Sequence, residues 1–395
     1  MRLLIVQYSG DYREAFHRLR QNGTETYHSQ KYVVDSIIEI SKQIEEVTLL
    51  CCRTKESYNE LLQEKLRSVG AALDPYKDKS ALIKLIAEQK PTHIVVHAPI
   101  PSILKWAIEN NIHTLCLLAD SFLTHGLRHK IKNYLLARLL NHKQIVWVCN
   151  HGVNACLSLQ SIGVNPDKII PYDWVHAVTP DYFSPKKSKS NTDIWNLVYV
   201  GAVTEVKGVG DIIEAVAKLK AKKFKVNLQI AGGGEIQYFI QRVKQLNIED
   251  SVKFVGIVPN QTVINLMKYA DVVLVPSRHE YPEACPFTIY EALCVHTPIV
   301  ASDHPMFKNN LQHGINAMIF PAGNSTLLAV SLEKLIEHPE LYEKISQASP
   351  QTWERLQISV KWAELIARWL NNSSENQSWL SQHRLNSGIY DSLFN

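Results

Sequence analysis

Two glutamates separated by seven residues are the strongest candidates for chemistry in this sequence. Glu283 lies in a polar loop, and Glu291 lies within residues 287–295, whose pattern predicts a helix with Pro286 in its first turn. The loop follows residues 271–275, a short apolar run that predicts a buried parallel strand. The spacing places one carboxylate before the helix and the other about two turns along it. Both could accept hydrogen bonds from hydroxyls of one elongated ligand.

The start of the predicted helix suits a phosphate. A helix N-terminus presents unpaired N–H groups and partial positive charge. In an open parallel sheet, ligands bind where the carboxyl ends of strands meet the amino ends of helices. The simpler interpretation stays open at this point: Glu283 and Glu291 are solvated glutamates near a helix start, where negative charge is favourable anyway.

The sequence around the two glutamates resembles the Glu-x7-Glu signature of the retaining nucleotide-sugar glycosyltransferases of family 4. The resemblance continues through residues 297–302 and 313–316, which match the strand and the turn after the second glutamate. Three earlier segments resemble the family's donor-binding loops in the same order. They are residues 201–208, 232–235 and 252–256.

The resemblance implies an α/β protein of the GT-B fold, with two Rossmann-like doubly wound parallel-sheet domains facing each other across a cleft. It implies a hexosyltransferase-type enzyme of polysaccharide biosynthesis, which moves a sugar with retention from a nucleoside-diphosphate sugar to a hydroxyl. The acceptor would be a glycan, a lipid-linked molecule or a small molecule. Members of this family generally need no cofactor or metal, and the sequence has no Asp-x-Asp motif. Two alternatives stay open: a GT-B nucleotide-sugar epimerase, and a non-catalytic sugar-nucleotide or glycan-binding protein.

The same resemblance assigns donor-binding roles. Glu283 would contact the donor sugar and Glu291 the ribose hydroxyls, while Lys207 would hold the diphosphate as it leaves. Glu283 and Lys207 are therefore predicted to be catalytic. Ala202 stands where the family usually has arginine, so we predict that Arg278 supplies the missing positive charge. The other predicted donor contacts are Gly10, Gly233, Val258, Cys285, Pro286, Phe287 and Thr288.

The first half of the chain alternates between strand and helix patterns, which predicts a doubly wound parallel sheet. Asp120 follows the predicted strand at 113–118, facing the expected cleft, and could orient or deprotonate an acceptor hydroxyl. It could equally cap the helix that follows. His97, after the neighbouring strand at 93–96, is the second acceptor-side candidate, although a lone histidine is more often a hydrogen-bonded structural residue.

Residues 121–166 contain no acidic residue. Within 127–143, apolar side chains share one helical face and basic side chains are interspersed among them. The apolar set is Leu127, Ile131, Tyr134, Leu135 and Leu139, and the basic set is Arg128, Lys130, Lys132, Arg138 and Lys143. This pattern predicts peripheral contact with an anionic membrane. A core-packed helix with a basic solvent face fits nearly as well.

Length and composition set the remaining limits. The 395 residues suffice for two domains. We predict an acceptor-side domain at 1–185, an exposed linker at 186–192, a donor domain at 193–352, and a final helix at 353–370 that packs, with the tail, on the first domain. The net charge of +4 is too small to argue for nucleic acid.

The cysteines and the hydropathy predict the compartment. Seven scattered cysteines without a Cys-x2-Cys pair indicate neither a disulfide framework nor a zinc site, and they fit a reducing cytoplasm. No run approaches the roughly 18 apolar residues of a membrane span. The sequence therefore predicts a cytoplasmic protein that can associate peripherally with the inner face of the membrane.

Overall fold

The computed structural model describes residues 1–122, 124 and 126–391 and divides the chain into two compact units. Unit 1 comprises Met1–Glu25, Ser29–Val175 and the described residues from Ile358 on. Unit 2 comprises Thr26–His28 and His176–Gln357. Apart from the short segment Thr26–His28, the chain thus passes between units after Val175 and after Gln357.

The regular elements alternate along most of the chain. The strands are β1 (Arg2–Ser9), β2 (Glu46–Arg53), β3 (Tyr58–Gln63), β4 (Leu66–Gly70), β5 (His93–Val96), β6 (His113–Leu118), β7 (Ile145–His151), β8 (Ile169–Tyr172), β9 (Trp195–Val200), β10 (Val226–Ala231), β11 (Val252–Gly256), β12 (Val272–Val275), β13 (Ile299–Ser302) and β14 (Met318–Phe320). The helices are α1 (Tyr12–Arg20), α2 (Gln30–Gln43), α3 (Lys79–Glu88), α4 (Pro101–Glu109), α5 (Leu127–Leu140), α6 (Val153–Ser161), α7 (Val209–Ala221), α8 (Ile236–Gln245), α9 (Asn260–Tyr269), α10 (Phe287–Cys294), α11 (Ser325–Glu337), α12 (Pro339–Gln347), α13 (Ser349–Leu356), α14 (Trp362–Leu370) and α15 (Ser374–Gln382).

Each unit is built on one mostly parallel sheet with helices packed around it, which confirms the predicted fold class. The sheet of unit 1 has the order β3-β4-β2-β1-β5-β6-β7-β8, and that of unit 2 has the order β11-β10-β9-β12-β13-β14. Strands β5, β12 and β13 are almost completely buried, as short apolar strands covered on both faces should be.

The strand order reverses at β1 in unit 1 and at β9 in unit 2, and these points position the candidate residues. In unit 1, β1 pairs with β2 on one side and with β5 on the other. In unit 2, β9 pairs with β10 on one side and with β12 on the other. Loops at such a switch point diverge and leave a crevice for a ligand. Gly10 and His97 follow β1 and β5, while the loops of Lys207 and Glu283 follow β9 and β12.

The edge of the first sheet differs from the uniform βα alternation that the sequence predicts. Strand β3 pairs antiparallel with β4, which in turn pairs parallel with β2. The sequence Tyr-Asn-Glu-Leu-Leu-Gln of β3 is half-polar and none of its residues is buried. It therefore lacks the apolar signal by which the buried strands are recognised.

The predicted helix at 353–370 is two helices that belong to different units. Helix α13 ends at Leu356 in unit 2, and α14 begins at Trp362 in unit 1. Between them the chain runs beside Asp173: the Asp173 N–H donates to the Val360 carbonyl over 2.9 Å, and the Trp362 N–H donates to the Asp173 carbonyl over 3.0 Å. These backbone bonds hold the segment extended, so the helix cannot be continuous.

A buried polar cluster within unit 1 also holds the extended segment before α14 beside Asp173. The Asp173 carboxylate is fully buried, with one oxygen 3.1 Å from His151 Nε2 and the other 3.1 Å from Lys361 Nζ. The Trp174 N–H also donates to Asp173 over 2.7 Å. A buried carboxylate needs such partners, and Lys361 thereby ties the C-terminal segment to the unit.

The predicted linker, 186–192, lies within unit 2; four of its seven residues are exposed, and the others, Lys186 first, contact that unit. The Lys186 N–H donates to Ser346 Oγ over 2.7 Å, and its ammonium donates to the Lys268 carbonyl over 2.8 Å at the end of α9. Burial lowers the pKa of Lys186 to about 8. A polar sequence without periodicity could not reveal these contacts, because they cap carbonyls far away in the chain. Across the described residues, none of the helices combines the length and apolarity that crossing a bilayer requires.

Candidate functional site

Lys207 is held at the switch point of unit 2 by a tight approach between two loops. It ends a short 3-10 turn, Glu205–Lys207, and is followed by Gly208 with a φ of +76°. A Cβ on Gly208 would lie 2.2 Å from the carbonyl oxygen of Pro276, the residue that follows β12. Only glycine fits there, so the loop after β9 can pack against the loop that carries Glu283.

Lys207 and Glu283, the two catalytic residues predicted for this unit, form an ion pair. The Lys207 ammonium donates to Glu283 Oε1, and the Ser277 hydroxyl donates to the same oxygen over 2.5 Å. Only 12% of the Lys207 side chain and 7% of the Glu283 side chain are exposed. Lys207 Nζ also lies 4.5 Å from the ring centroid of Tyr281. The pair is therefore partly withdrawn from water and fixed in orientation.

Arg278 is predicted to contact the donor diphosphate, but in the structure its guanidinium binds carboxylates of the same unit. Its guanidinium donates to both carboxylate oxygens of Asp211, over 3.0 and 2.8 Å, and to Glu205 Oε1 over 3.2 Å. Its backbone N–H donates to the Val206 carbonyl over 3.0 Å. The Asp211 hydrogen bonds raise the pKa of Arg278 further above its ordinary value. With two carboxylates balancing its charge, Arg278 acts here as a brace between the Lys207 turn and α7.

Glu291 is buried in the second turn of α10 and faces α9. Asn260 Nδ2, at the start of α9, donates to Glu291 Oε1 over 2.6 Å. Glu291 is only 5% exposed, and this burial raises its pKa to about 7, against an ordinary value of 4.5. The sequence placed Glu291 correctly on the helix. Its environment, however, differs from that of the solvated glutamate of the simpler interpretation.

Helix α10 begins at Phe287, as the position of Pro286 predicts. Pro286 occupies the N-cap position and has no side-chain acceptor to offer the first turn. The Thr288 hydroxyl donates to the Val200 carbonyl over 3.3 Å, which ties the helix start to the end of β9. Helix starts carry N–H groups that need acceptors from outside the helix, so the geometry at this end suits an anion. Cys285, just before the helix, is half-buried.

The glycine run after β10 serves mainly to pack two loops together. A Cβ on Gly232 would lie 1.8 Å from the Gly201 carbonyl oxygen, and one on Gly234 would lie 2.5 Å from the Val203 carbonyl oxygen. The Val203 N–H donates to the Gly233 carbonyl over 2.8 Å. Gly233, the predicted donor contact, lies beside Ile257, with which a Cβ would make contact at 3.0 Å. Val258, the other predicted contact in this part of the unit, is half-buried after β11.

Several polar residues of the site were not among the sequence predictions. They are Ser277, Asn260 and His304, which follow strand ends or begin a helix. The His304 ring bonds the Tyr281 carbonyl over 3.0 Å through Nε2 and accepts the Met306 N–H over 3.3 Å through Nδ1. Burial lowers the pKa of His304 below its ordinary value. Ser277 and His304 each stand two residues beyond a parallel strand, so the strand-end rule could have found them.

His97 and Gly10 lie at the switch point of unit 1. Gly10 has a φ of +94°, directly after β1. The His97 ring stacks on Trp362 at a centroid distance of 5.8 Å. Burial lowers the pKa of His97 to about 4, although the hydrogen bond to the Leu117 backbone acts in the opposite direction. Among the described residues, His97 Nε2 finds no hydrogen-bond partner. His97 is thus neutral near pH 7 and is one part of an aromatic stack.

Asp120 follows β6 and does not cap the next helix. That helix, α5, begins at Leu127 with Gly126 as its N-cap, so the capping alternative is wrong. Asn150 fixes the Asp120 backbone from both sides: it accepts the N–H over 3.3 Å and donates to the carbonyl over 2.8 Å. Burial raises the pKa of Asp120 to about 6. A carboxylate poised near neutral pH is suited to proton transfer.

Comparison with known proteins shows which proteins this chain resembles. Residues 182–352 match the family described as glycosyl transferases group 1. The amylovoran biosynthesis glycosyltransferase AmsK of Erwinia amylovora is 26% identical over 51% of this chain and 46% of its own length. The putative colanic acid biosynthesis glycosyltransferase WcaL of Salmonella typhimurium is 27% identical over 48% of each chain. The chain spans about half the length of these relatives.

Two solved structures share the fold over almost the entire chain. HepE of Anabaena, crystallised with UDP, covers 94% of this chain and 100% of its own at 15% identity, with a TM-score of 0.63. Sucrose-phosphate synthase of Thermosynechococcus elongatus aligns with 94% of this chain over 98% of its own length, at 15% identity and with a TM-score of 0.68. The chain shares the GT-B fold of these structures, and its residues 182–352 match the model of the group 1 glycosyltransferases.

Proposed function

We propose that the chain is a retaining glycosyltransferase that moves a sugar from a nucleoside diphosphate to an acceptor hydroxyl. The observation that carries the proposal is the Lys207–Glu283 pair beside the start of α10, with Glu291 further along the same helix. A cation and a helix start suit a diphosphate. The two carboxylates suit the hydroxyls of a donor sugar and of a ribose. These groups stand together at the switch point of one parallel sheet.

In this proposal the donor diphosphate competes with Glu283 for Lys207. Lys207 is ion-paired with Glu283 Oε1, and the diphosphate would draw the ammonium toward itself. Glu283, still held by Ser277, would then accept a hydroxyl of the donor sugar. Lys207 and the N-terminus of α10 would stabilise the negative charge that develops on the departing diphosphate. Because these groups supply that charge, we propose that no divalent metal is required.

Glu291 would bind the ribose of the donor. Its Oε1 atom accepts from Asn260, and an ionised carboxylate has further lone pairs for ribose hydroxyls. On the acceptor side, Asp120 would orient or deprotonate the attacking hydroxyl. Its pKa of about 6 leaves it mostly ionised at neutral pH, the state that can accept a proton.

The names of similar proteins suggest the first substrates to test. HepE has been crystallised with UDP and with UDP-glucose, and AmsK and WcaL are named for polysaccharide biosynthesis. We therefore propose a nucleotide-sugar donor, with UDP-sugars tested first, and an acceptor in polysaccharide assembly. From the odd number and scattered positions of the seven cysteines, we also propose that the protein works in a reducing cytoplasm.

The test is a donor screen on the purified full chain. UDP-, GDP- and ADP-sugars are incubated with and without a panel of glycan acceptors, and mass spectrometry measures both nucleotide release and sugar transfer. We expect one donor to be consumed with transfer, with the anomeric configuration of the product retained by NMR and with EDTA without effect. Lys207→Ala should abolish transfer, whereas Lys244→Ala, an exposed lysine of α8, should not.

Three outcomes would contradict the proposal. An epimerised donor sugar in the absence of acceptor would identify an epimerase. Nucleotide binding by thermal shift without any turnover would identify a non-catalytic binding protein. Full turnover by Lys207→Ala would show that the site described here is not the reactive one.

A further inference from the structure

Helix α5 of unit 1 turns an apolar face to solvent. Its buried side packs into the unit through Asn133, Leu136, Ala137 and Leu140. On the opposite side, four large apolar side chains are exposed by 54 to 76%: Leu127, Ile131, Tyr134 and Leu135. A surface helix ordinarily presents polar side chains to water, so these four residues, here named the α5 face, require an explanation.

Basic side chains border the α5 face. At 3.6 residues per turn, Lys130 falls on one border, and Arg128 and Lys132 fall on the other. Arg138 lies one turn beyond, with its guanidinium 6.0 Å from the ring centroid of Tyr134. All four basic side chains are exposed. Among the ion pairs of the described residues none involves these four side chains, and residues 121–166 contain no acid that could neutralise them locally.

We propose that the α5 face docks on the surface of an anionic lipid bilayer. The apolar side chains would enter the boundary between headgroups and acyl chains, while the bordering lysines and arginines would reach lipid phosphates. The proposal goes beyond the glycosyl transfer proposed above and does not depend on it, because membrane docking is measured without a donor or an acceptor.

The charges around the α5 face favour an anionic bilayer over a protein as its binding partner. The cores of protein interfaces are depleted in lysine, whereas lysine stands on both borders of the narrow α5 face. A second copy of this chain, docked through the same face about a two-fold axis, would bring the basic residues of both copies together. An anionic lipid surface complements the apolar face and its positive borders at once.

Vesicle flotation of the full chain tests the proposal. Vesicles of phosphatidylcholine alone are compared with vesicles that also contain phosphatidylglycerol, at low and high salt. We expect flotation only with the anionic vesicles, weakened by salt. Each basic residue near such a surface contributes about fivefold to partitioning, so Lys130→Glu/Lys132→Glu should weaken binding by about 25-fold or more. Ile131→Gln/Leu135→Gln should weaken it at every salt concentration.

Matched variants distinguish the α5 face from general surface effects. Lys77→Glu/Lys79→Glu reverses two exposed charges elsewhere on unit 1, and Leu61→Gln replaces an apolar side chain that is 54% exposed, as Ile131 and Leu135 are. Both controls should float like the unaltered chain. Thermal melts should be unchanged in the α5 variants, because the replaced side chains are exposed and glutamine favours helix.

The proposal fails if the chain does not float with anionic vesicles, if it floats equally with neutral ones, or if the α5 variants float like the controls. It also fails if light scattering finds a dimer that Ile131→Gln/Leu135→Gln dissociates, in the absence of vesicle binding. That last result would assign the face to a second copy of the chain.

Discussion

Replacing Glu291 with glutamine should stabilise unit 2 at alkaline pH while it impairs donor binding. Glu291 is 5% exposed, and burial raises its pKa from 4.5 to about 7 because the charged form loses its hydration. Glutamine keeps an oxygen that can accept from Asn260, but it carries no charge to bury. The variant thereby separates the role of Glu291 in donor binding from the loss of stability that its buried charge causes.

The sign of the effect follows from proton linkage. Below pH 4.5, Glu291 is protonated in both the folded and the unfolded chain and no penalty arises. Between pH 4.5 and 7 the folded chain keeps a proton that the unfolded chain releases, so the free energy of unfolding falls as pH rises. Above pH 7 the penalty is complete. At about 1.4 kcal/mol per tenfold change in proton affinity, the upper limit is about 3 kcal/mol.

Thermal melts of the unaltered chain and of Glu291→Gln between pH 5 and pH 8 measure this penalty. For a unit of this size, an upper limit of about 3 kcal/mol corresponds to a gain of about 6 to 12 °C for the variant at pH 8, and the gain should vanish toward pH 5. Calorimetry should find that nucleotide affinity of the unaltered chain weakens as pH falls below 7, because a protonated Glu291 accepts fewer hydrogen bonds. The variant should bind weakly at every pH.

A control and a contrary result complete the test. Glu249→Gln, at an exposed position of the same unit, should shift the melting temperature equally little at pH 5 and pH 8. If the difference between Glu291→Gln and the unaltered chain is the same at both pH values, Glu291 does not carry a raised pKa and the linkage reasoning is refuted.

Three further perturbations test the remaining contacts. Glu283→Gln removes the internal partner of Lys207, so affinity for a free nucleoside diphosphate should rise about tenfold by calorimetry while transfer is lost; weaker binding would contradict the proposed competition. Asp120→Asn should lower turnover about 100-fold, and the acid limb near pH 6 in the profile of kcat/KM should disappear; an unchanged limb would assign it elsewhere. Asp173→Asn should cost about 3 kcal/mol in urea unfolding, because it leaves Lys361 beside an uncharged buried group; an unchanged midpoint would show that the junction is held by its backbone bonds alone.

The elements that carry the site could be predicted because their signals are local. Strands β9 and β12 are short apolar runs, and the turn that carries Lys207 ends in a glycine that must fit against Pro276. Helix α10 begins directly after a proline. Each of these features is contained within about ten residues of sequence, the range over which pattern and turn chemistry are decided.

The partners of the site residues could not be predicted because they are set by packing. Arg278 meets Asp211 from 67 positions away, and Asn260 meets Glu291 from 31 positions away. Neither contact produces a periodic pattern in the sequence from which it could be predicted. The same reason explains the break before α14: the apolar spacing of the segment suits a helix, but pairing with Asp173 holds its backbone extended. Tertiary hydrogen bonds outweigh local propensity at such junctions.

If the proposed function holds, the brace formed by Arg278 offers a reason why the site needs no arginine at position 202. Arg278 binds the Lys207 turn through the carbonyl of Val206 and the carboxylate of Glu205, and it binds α7 through Asp211. A fixed charge stabilises a transition state without reorganising when charge develops there, whereas a mobile charge must first be oriented. In the proposed function, Arg278 would therefore support the diphosphate chemistry by holding Lys207 in place. On this reasoning the position of one lysine, more than the number of cations, sets the electrostatic strength of the site.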